Sequence, residues 1–186
     1  MNTAIIPGSI GAIAKREGIS LAESFVSADV VALVDVSGSM DAGDSRGGLS
    51  RYDVACEELA NLQNTNPGKV AILAFSHETI FCPSGQPPRL FGSTNLAGAL
   101  AFARVADTGD MRFVIISDGQ PDDAEAAMSE ARKYRGRIDV VYVGPEYSPT
   151  GRDFLSRLAA ARGGVTVTAD KAQQLAAQTQ RLLLSA

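Results

Sequence analysis

Histidine and cysteine are scarce in this chain, with one and two residues respectively among 186. A serine-hydrolase triad would have to use His77. That residue falls in the turn Ser76-His77-Glu78, where a surface position is expected, whereas a triad base must be fixed beside its nucleophile. Cys56 falls in an expected helix and Cys82 beside an expected strand. Two small buried hydrophobes in a reducing compartment describe them better than a disulfide. Long apolar runs are missing: none approaches the ~20 residues of a membrane span. Met1 to Gly11 carries no Lys or Arg and is broken by Pro7, Gly8 and Gly11, unlike a secretory leader. A basic stripe is missing as well. The 17 Lys and Arg are scattered among 21 Asp and Glu, for a net charge of −4, which argues against nucleic acid as a ligand. The expectation is a cytoplasmic protein that binds neither membrane nor nucleic acid.

What is present is a regular alternation. Val30 to Val34, Val70 to Phe75, Phe113 to Ser117, Ile138 to Val143 and Val165 to Thr168 are short, β-branched and apolar at nearly every position, as suits strands covered on both faces. Helical stretches separate them: Arg51 to Leu62, Leu96 to Ala106, Ala124 to Arg135, Asp153 to Ala161 and Ala172 to Leu184. Such alternation predicts a three-layer, doubly wound α/β fold with a mostly parallel sheet. After Phe75 there is no room for a helix before Thr79 to Cys82, so a hairpin and one antiparallel edge strand are expected. Residues 1–28 read as a separate helical arm ahead of a main domain at 29–186. In the arm, Ser9 to Arg16 has helical spacing, Gly18 breaks it, and Ser20-Leu21-Ala22-Glu23 has the form of a capping box. The turn Ala14 to Ser20 has a helix-turn-helix cast, but the acidic segment Leu21 to Asp29 is unsuited to facing phosphates. The arm is expected to pack on the main domain or on a partner.

The chemistry-bearing stretch is Asp35-Val36-Ser37-Gly38-Ser39, at the end of the first apolar run. A carboxylate and two hydroxyls on one loop are hard oxygen donors, suited to a hard cation such as Mg²⁺. In a doubly wound sheet, ligands bind beyond the carboxyl ends of the strands, near the point where strand order reverses. Thr94, ahead of the helix starting near Leu96, and Asp118-Gly119, directly after Phe113 to Ser117, belong at that same level. Taken singly, each piece has a plainer meaning. Ser-Gly-Ser and Asp-Gly are common turns, and Thr94 could cap the next helix.

Taken together, Asp35-Val36-Ser37-Gly38-Ser39-Met40, Thr94 and Asp118-Gly119 resemble the metal-ion-dependent adhesion site of von Willebrand factor type A domains. The family pattern is DxSxS, a distant Thr and a distant Asp. The resemblance spans roughly residues 29–184 and leaves out the arm. It implies a metal site formed by Asp35, Ser37, Ser39, Thr94 and Asp118, with the two serine hydroxyls binding directly, Thr94 directly or through water, and the acids acting mainly through waters. It implies Mg²⁺, alternatively Mn²⁺ or Ca²⁺, and a partner Glu or Asp completing the coordination. The following Gln120-Pro121-Asp122-Asp123 is similar to cytoplasmic bacterial members, some of which work beside AAA+ ATPases of the MoxR type. In adhesion members the last helix, here Ala172 to Leu184, shifts on binding.

Rival chemistries fit less well. Gly43-Asp44-Ser45-Arg46-Gly47 matches G-x-S-x-G formally, but no strand runs straight into it. Asp35 sits where a phosphoryl-accepting aspartate would, yet Ser37 replaces the second acid of that motif. Gly68-Lys69-Val70 lacks the remainder of a phosphate-binding loop. Asp41 and Asp44 read as solvated loop acids rather than ligands, placed near enough to the site to modulate ion affinity. The expectation is therefore an interaction module without catalysis, with a metal-assisted hydrolase or phosphatase and a metal-independent scaffold as the alternatives.

Overall fold

The computed structural model describes residues 5–119, 121–145, 147 and 149–169. In chain order the elements are α1 (Ile10–Glu17), α2 (Leu21–Val26), β1 (Val30–Asp35), α3 (Arg51–Thr65), β2 (Val70–Phe75), β3 (Thr79–Phe81), α4 (Leu96–Ala103), β4 (Arg112–Ser117), α5 (Ala124–Ala131), β5 (Ile138–Tyr142), α6 (Pro149–Ala160) and β6 (Thr166–Thr168). Six strands form one sheet in the order β3-β2-β1-β4-β5-β6. All neighbours run parallel except β2 and β3, the expected antiparallel edge pair. The mostly parallel, doubly wound sheet read from the apolar runs is thus the fold observed.

Alternation along each strand explains why these runs are apolar throughout. Val31 and Leu33 of β1 join Leu73, Phe113, Ile115 and Val140 under α4, α5 and α6. Val30, Ala32 and Val34 turn the other way, toward Val54, Ala55, Leu59 and Leu62 of α3. Side chains on successive strand residues point to opposite faces, so a strand covered on both sides needs apolar residues at every position.

Helix ends differ from expectation, each for a local reason. The helix expected to reach Arg135 stops at Ala131, where the bonds tighten to three residues: Lys133 N–H donates to Glu130 O and Tyr134 N–H to Ala131 O. That twist turns the Tyr134 ring into the core, edge-on to Phe113 at 4.6 Å, with its hydroxyl donating to Leu100 O at 2.6 Å. α3 runs on to Thr65 because Gln63 is fully buried and its amide donates to the carbonyls of Leu59 and Gly85. α6 begins at Pro149, earlier than the expected Asp153, and proline suits a first turn that lacks intrahelical N–H partners. The last turn of the stretch expected as Leu96 to Ala106 is a 3₁₀ turn, Arg104–Ala106. The expected helix Ala172 to Leu184 lies outside the described residues.

Residues 5–28 pack on the β3 side of the domain. Ile6 and Gly11 N–H donate to Ser84 and Pro83 carbonyls, and Gly68 N–H donates to Gly8 O. Ile10 is buried in the core, and Phe25 meets Phe81 edge-on at 5.5 Å. Gly8 and Gly11 allow this approach: a Cβ at either would lie 2.5 Å from a carbonyl oxygen, of Gln63 and Pro83 respectively. The capping box at Ser20 and Glu23 is formed, and Gly18 closes α1 at φ 69°. Cys56 and Cys82 are free thiols.

Candidate functional site

Strand order reverses between β1 and β4, whose following connections leave toward opposite edges of the sheet. The crevice beyond their carboxyl ends is where an open α/β sheet binds ligands, and Asp35 and Asp118 are positioned there. Asp35 ends β1, is fully buried and has both oxygens engaged. Oδ1 accepts from Ser37 N–H at 2.9 Å, and Oδ2 accepts from the Ser117 hydroxyl at 2.7 Å. The first bond folds the chain back after the strand, so that Ser37 and Ser39 bring their hydroxyls within 3.2 Å of each other. Ser117 in turn accepts from Gly119 N–H at 3.0 Å, which ties the ends of β1 and β4 together through one hydroxyl.

Thr94 enters through the backbone. Phe91 N–H donates to Val36 O and Gly38 N–H to Gly92 O, each at 3.0 Å, so the 91–94 segment is clamped against the Asp35 loop. Thr94 N–H donates to Asp122 Oδ1 at 2.9 Å while Asp122 N–H donates to Thr94 O at 3.0 Å, a reciprocal pair that joins the same segment to the loop after β4. The helix cap is Asn95, whose side chain accepts from Gly98 N–H, so Thr94 is not spent on capping. Three loops distant in sequence are therefore linked to one another, with Asp35, Ser37, Thr94 and Asp118 buried and Ser39 half-buried. Phe91 holds φ 59°, a costly value for an aromatic residue, directly beside the crevice and half exposed.

Four side chains at this crevice were not among the ligands expected from the sequence. Arg51, the first residue of α3, donates from Nη1 to Asp118 Oδ2 at 2.6 Å and reaches Ser39 O at 3.3 Å. Its Nε and Nη2 fork onto the two oxygens of Asp44, each at 2.8 Å. Asp44 is thus a paired acid and not merely a solvated one, and Asp41 pairs with Arg89. Ser117 and Asp122 are the other two. Their partners lie 82 and 28 residues away, so no local pattern marked them. Ser45, of the formal G-x-S-x-G match, donates its hydroxyl to Val143 O at 2.8 Å.

Electrostatics follow from burial. Loss of water pushes the Asp35 carboxyl up to about 6, against the hydrogen bonds from Ser37 and Ser117 and with added repulsion from Asp118. The Arg51 guanidinium is held above its ordinary value by Asp44 and Asp118, and Asp44 is held below its own chiefly by Arg51. Asp118 Oδ1 is buried and has no hydrogen-bond partner. An orphaned carboxylate oxygen, a second carboxylate and three hydroxyls make a donor set that fits a hard divalent cation through oxygen and water. Among the described residues, no three His, Cys, Asp or Glu side chains gather as a metal centre of another type.

Fold and crevice define a class, a doubly wound α/β domain with an oxygen-donor site at its switch point. No family model matches the sequence, and no curated protein matches it. Solved structures do match. An aerotolerance-related membrane protein from Bacteroides fragilis aligns with TM-score 0.67 at 15% identity, over 86% of this chain and all of that one. BatB from Bacteroides thetaiotaomicron aligns with TM-score 0.63 at 16% identity, over 84% of this chain and 98% of that one. The manganese-loaded TRAP protein of Plasmodium vivax aligns with TM-score 0.59 at 16% identity, over 81% and 72%. The fold of this chain is von Willebrand factor A-like. No described helix is long and apolar enough to cross a membrane.

Proposed function

We propose that this protein is a divalent-cation-dependent interaction module that captures a Glu or Asp side chain of a partner protein. The observation carrying the reading is the buried, unpartnered Oδ1 of Asp118, on a loop tied to the one that holds the Ser37 and Ser39 hydroxyls 3.2 Å apart. In this reading Ser37, Ser39 and Thr94 hold Mg²⁺, or alternatively Mn²⁺ or Ca²⁺, while Asp35 and Asp118 orient its waters. Bound there, the ion supplies an electron-poor coordination position that attracts an outside carboxylate. Exposed Phe91 and Tyr147, at 50% and 80%, offer apolar contacts beside that position. The manganese-loaded state of TRAP, a protein of the same fold, is in keeping with this reading.

Binding without catalysis is part of the proposal. An Asp35 whose two oxygens both accept hydrogen bonds, in full burial, is a poor nucleophile. The compartment proposed is the cytoplasm, and the partner class carried over from the sequence resemblance is an AAA+ ATPase of the MoxR type. The test is calorimetric titration with Mg²⁺, followed by partner capture with and without EDTA, repeated with Thr94→Ala. Heat at millimolar or lower Mg²⁺ and capture lost in both treatments are expected. Capture that survives both undiminished defeats the coordination reading and leaves a metal-independent scaffold. Turnover of phosphate or peptide esters that stops on chelation would favour the hydrolase.

A further inference from the structure

Arg51 stands at the candidate centre with no part in the donor set. It is 8% exposed, and its guanidinium reaches two acids on different loops. One edge forks onto Asp44 with two 2.8 Å bonds, and the remaining Nη1 meets Asp118 Oδ2 at 2.6 Å. A buried carboxylate such as Asp118, at 1% exposure, is strongly disfavoured unless paired. Arginine keeps its charge at every relevant pH, so a positive charge always faces Asp118. Its fork geometry holds it there without needing Asp118, because Asp44 alone fixes the plane of the guanidinium. Tyr147 steadies that anchor from outside, its hydroxyl lying 3.4 Å from Asp44 Oδ2.

We propose that Arg51 is an internal counter-cation of Asp118 that competes with the divalent ion and sets its affinity, and that Asp44 governs how much of the Arg51 charge falls on Asp118. This rests on the divalent-cation reading given above. The guanidinium occupies one oxygen of Asp118 and places a positive charge beside the ion's position, so it weakens binding. Asp44 partly neutralises that charge and draws it away. A weak, exchangeable ion suits a site that a partner carboxylate completes, whereas a fully compensated ion has less need of an outside anion. A purely structural role for Arg51, clamping the 41–50 loop to the β4 end, has the opposite sign: breaking the clamp would loosen the donors and weaken the ion.

The experiment measures Mg²⁺ affinity by calorimetry, and thermal unfolding in EDTA and in Mg²⁺, on the full chain and three variants. Arg51→Gln is expected to bind Mg²⁺ on the order of tenfold more tightly and to gain more in Tm from Mg²⁺ than the wild type. Arg51→Lys, which keeps the charge, stays near the wild type. Asp44→Asn binds several-fold more weakly, as loss of the clamp also predicts, so Arg51→Lys decides the matter if Arg51→Gln does not fold without the ion. It keeps the charge but loses the fork, and clearly weaker binding there would make Arg51 a clamp and overturn the inference. Arg51→Gln binding no tighter than wild type, or Asp44→Asn binding no more weakly, overturns the inference and leaves the cation reading standing. Binding in Arg51→Gln but not in the wild type supports the inference and removes the cation reading for the natural chain. Silence in every variant removes both.

Discussion

Asp35 carries an electrostatic load that the metal-free fold relieves only in part. Burial lifts its folded carboxyl to about 6, well above an ordinary aspartate, so the folded state binds the extra proton across that interval. Stability in EDTA should therefore fall as pH rises from ~4 to ~6, by about 3 kcal/mol. Asp35→Asn should lack that slope and be at least as stable as the wild type at pH 7 in chelator, while losing the Mg²⁺-dependent gain in Tm. Denaturant titration across pH, with and without Mg²⁺, reads both effects, and a parallel pH slope in the variant would count against the buried charge as its source. At Gly119 the constraint is steric. It holds φ 78°, and a Cβ would lie 2.3 Å from Gly151 O at the start of α6. Gly119→Ala should cost about 2 kcal/mol or more in chemical denaturation, because both the backbone conformation and the contact resist a side chain.

Among the connecting elements, the link between the loops before α4 and before α5 is the one on which Thr94 depends. Asp122 is exposed, yet its side chain and its backbone both bond the Thr94 peptide. Asp122→Ala should lower stability by only about 1 kcal/mol, the net worth of one such bond. It should weaken Mg²⁺ by about tenfold, because a hydroxyl no longer held in place binds at an entropic disadvantage. Calorimetry beside denaturant unfolding distinguishes this from general destabilisation: equal losses in both would make Asp122 a stability residue alone.

Over the whole molecule, the arm and the crevice lie at different places on the sheet. Residues 5–28 contact the segment after β3 and the chain leading into β2, whereas the crevice opens beyond the carboxyl ends of β1 and β4. The described part of the arm therefore packs on the domain away from the crevice. Ile10→Ala, which empties a buried position, should cost about 2–4 kcal/mol in unfolding free energy while leaving the Mg²⁺ dissociation constant unchanged. A shift in that constant would mean that the arm and the site are coupled through the sheet.

Composition and periodicity were enough to give the layers of this fold, and the chain's motifs offered a candidate site. Apolar runs such as Val30 to Val34 can be buried on both faces only in a covered, mostly parallel sheet, and the missing helix after Phe75 demanded a hairpin. Asp35, Ser37, Ser39, Thr94 and Asp118 stood out in the sequence by their resemblance to a known adhesion-site pattern and by their expected place at strand ends. What surrounds them depends on contacts made once the sheet has assembled. Arg51 reads as an ordinary first residue of a helix, Asp44 as a loop acid and Ser117 as the end of a strand. Their roles come from partners between 7 and 82 residues away. Helix ends were likewise decided outside their own sequence, as when Tyr134 turned inward to reach Phe113 and Leu100. Periodicity is a property of neighbours in the chain, whereas a charge pair across a crevice depends on loops that meet only once the sheet has assembled.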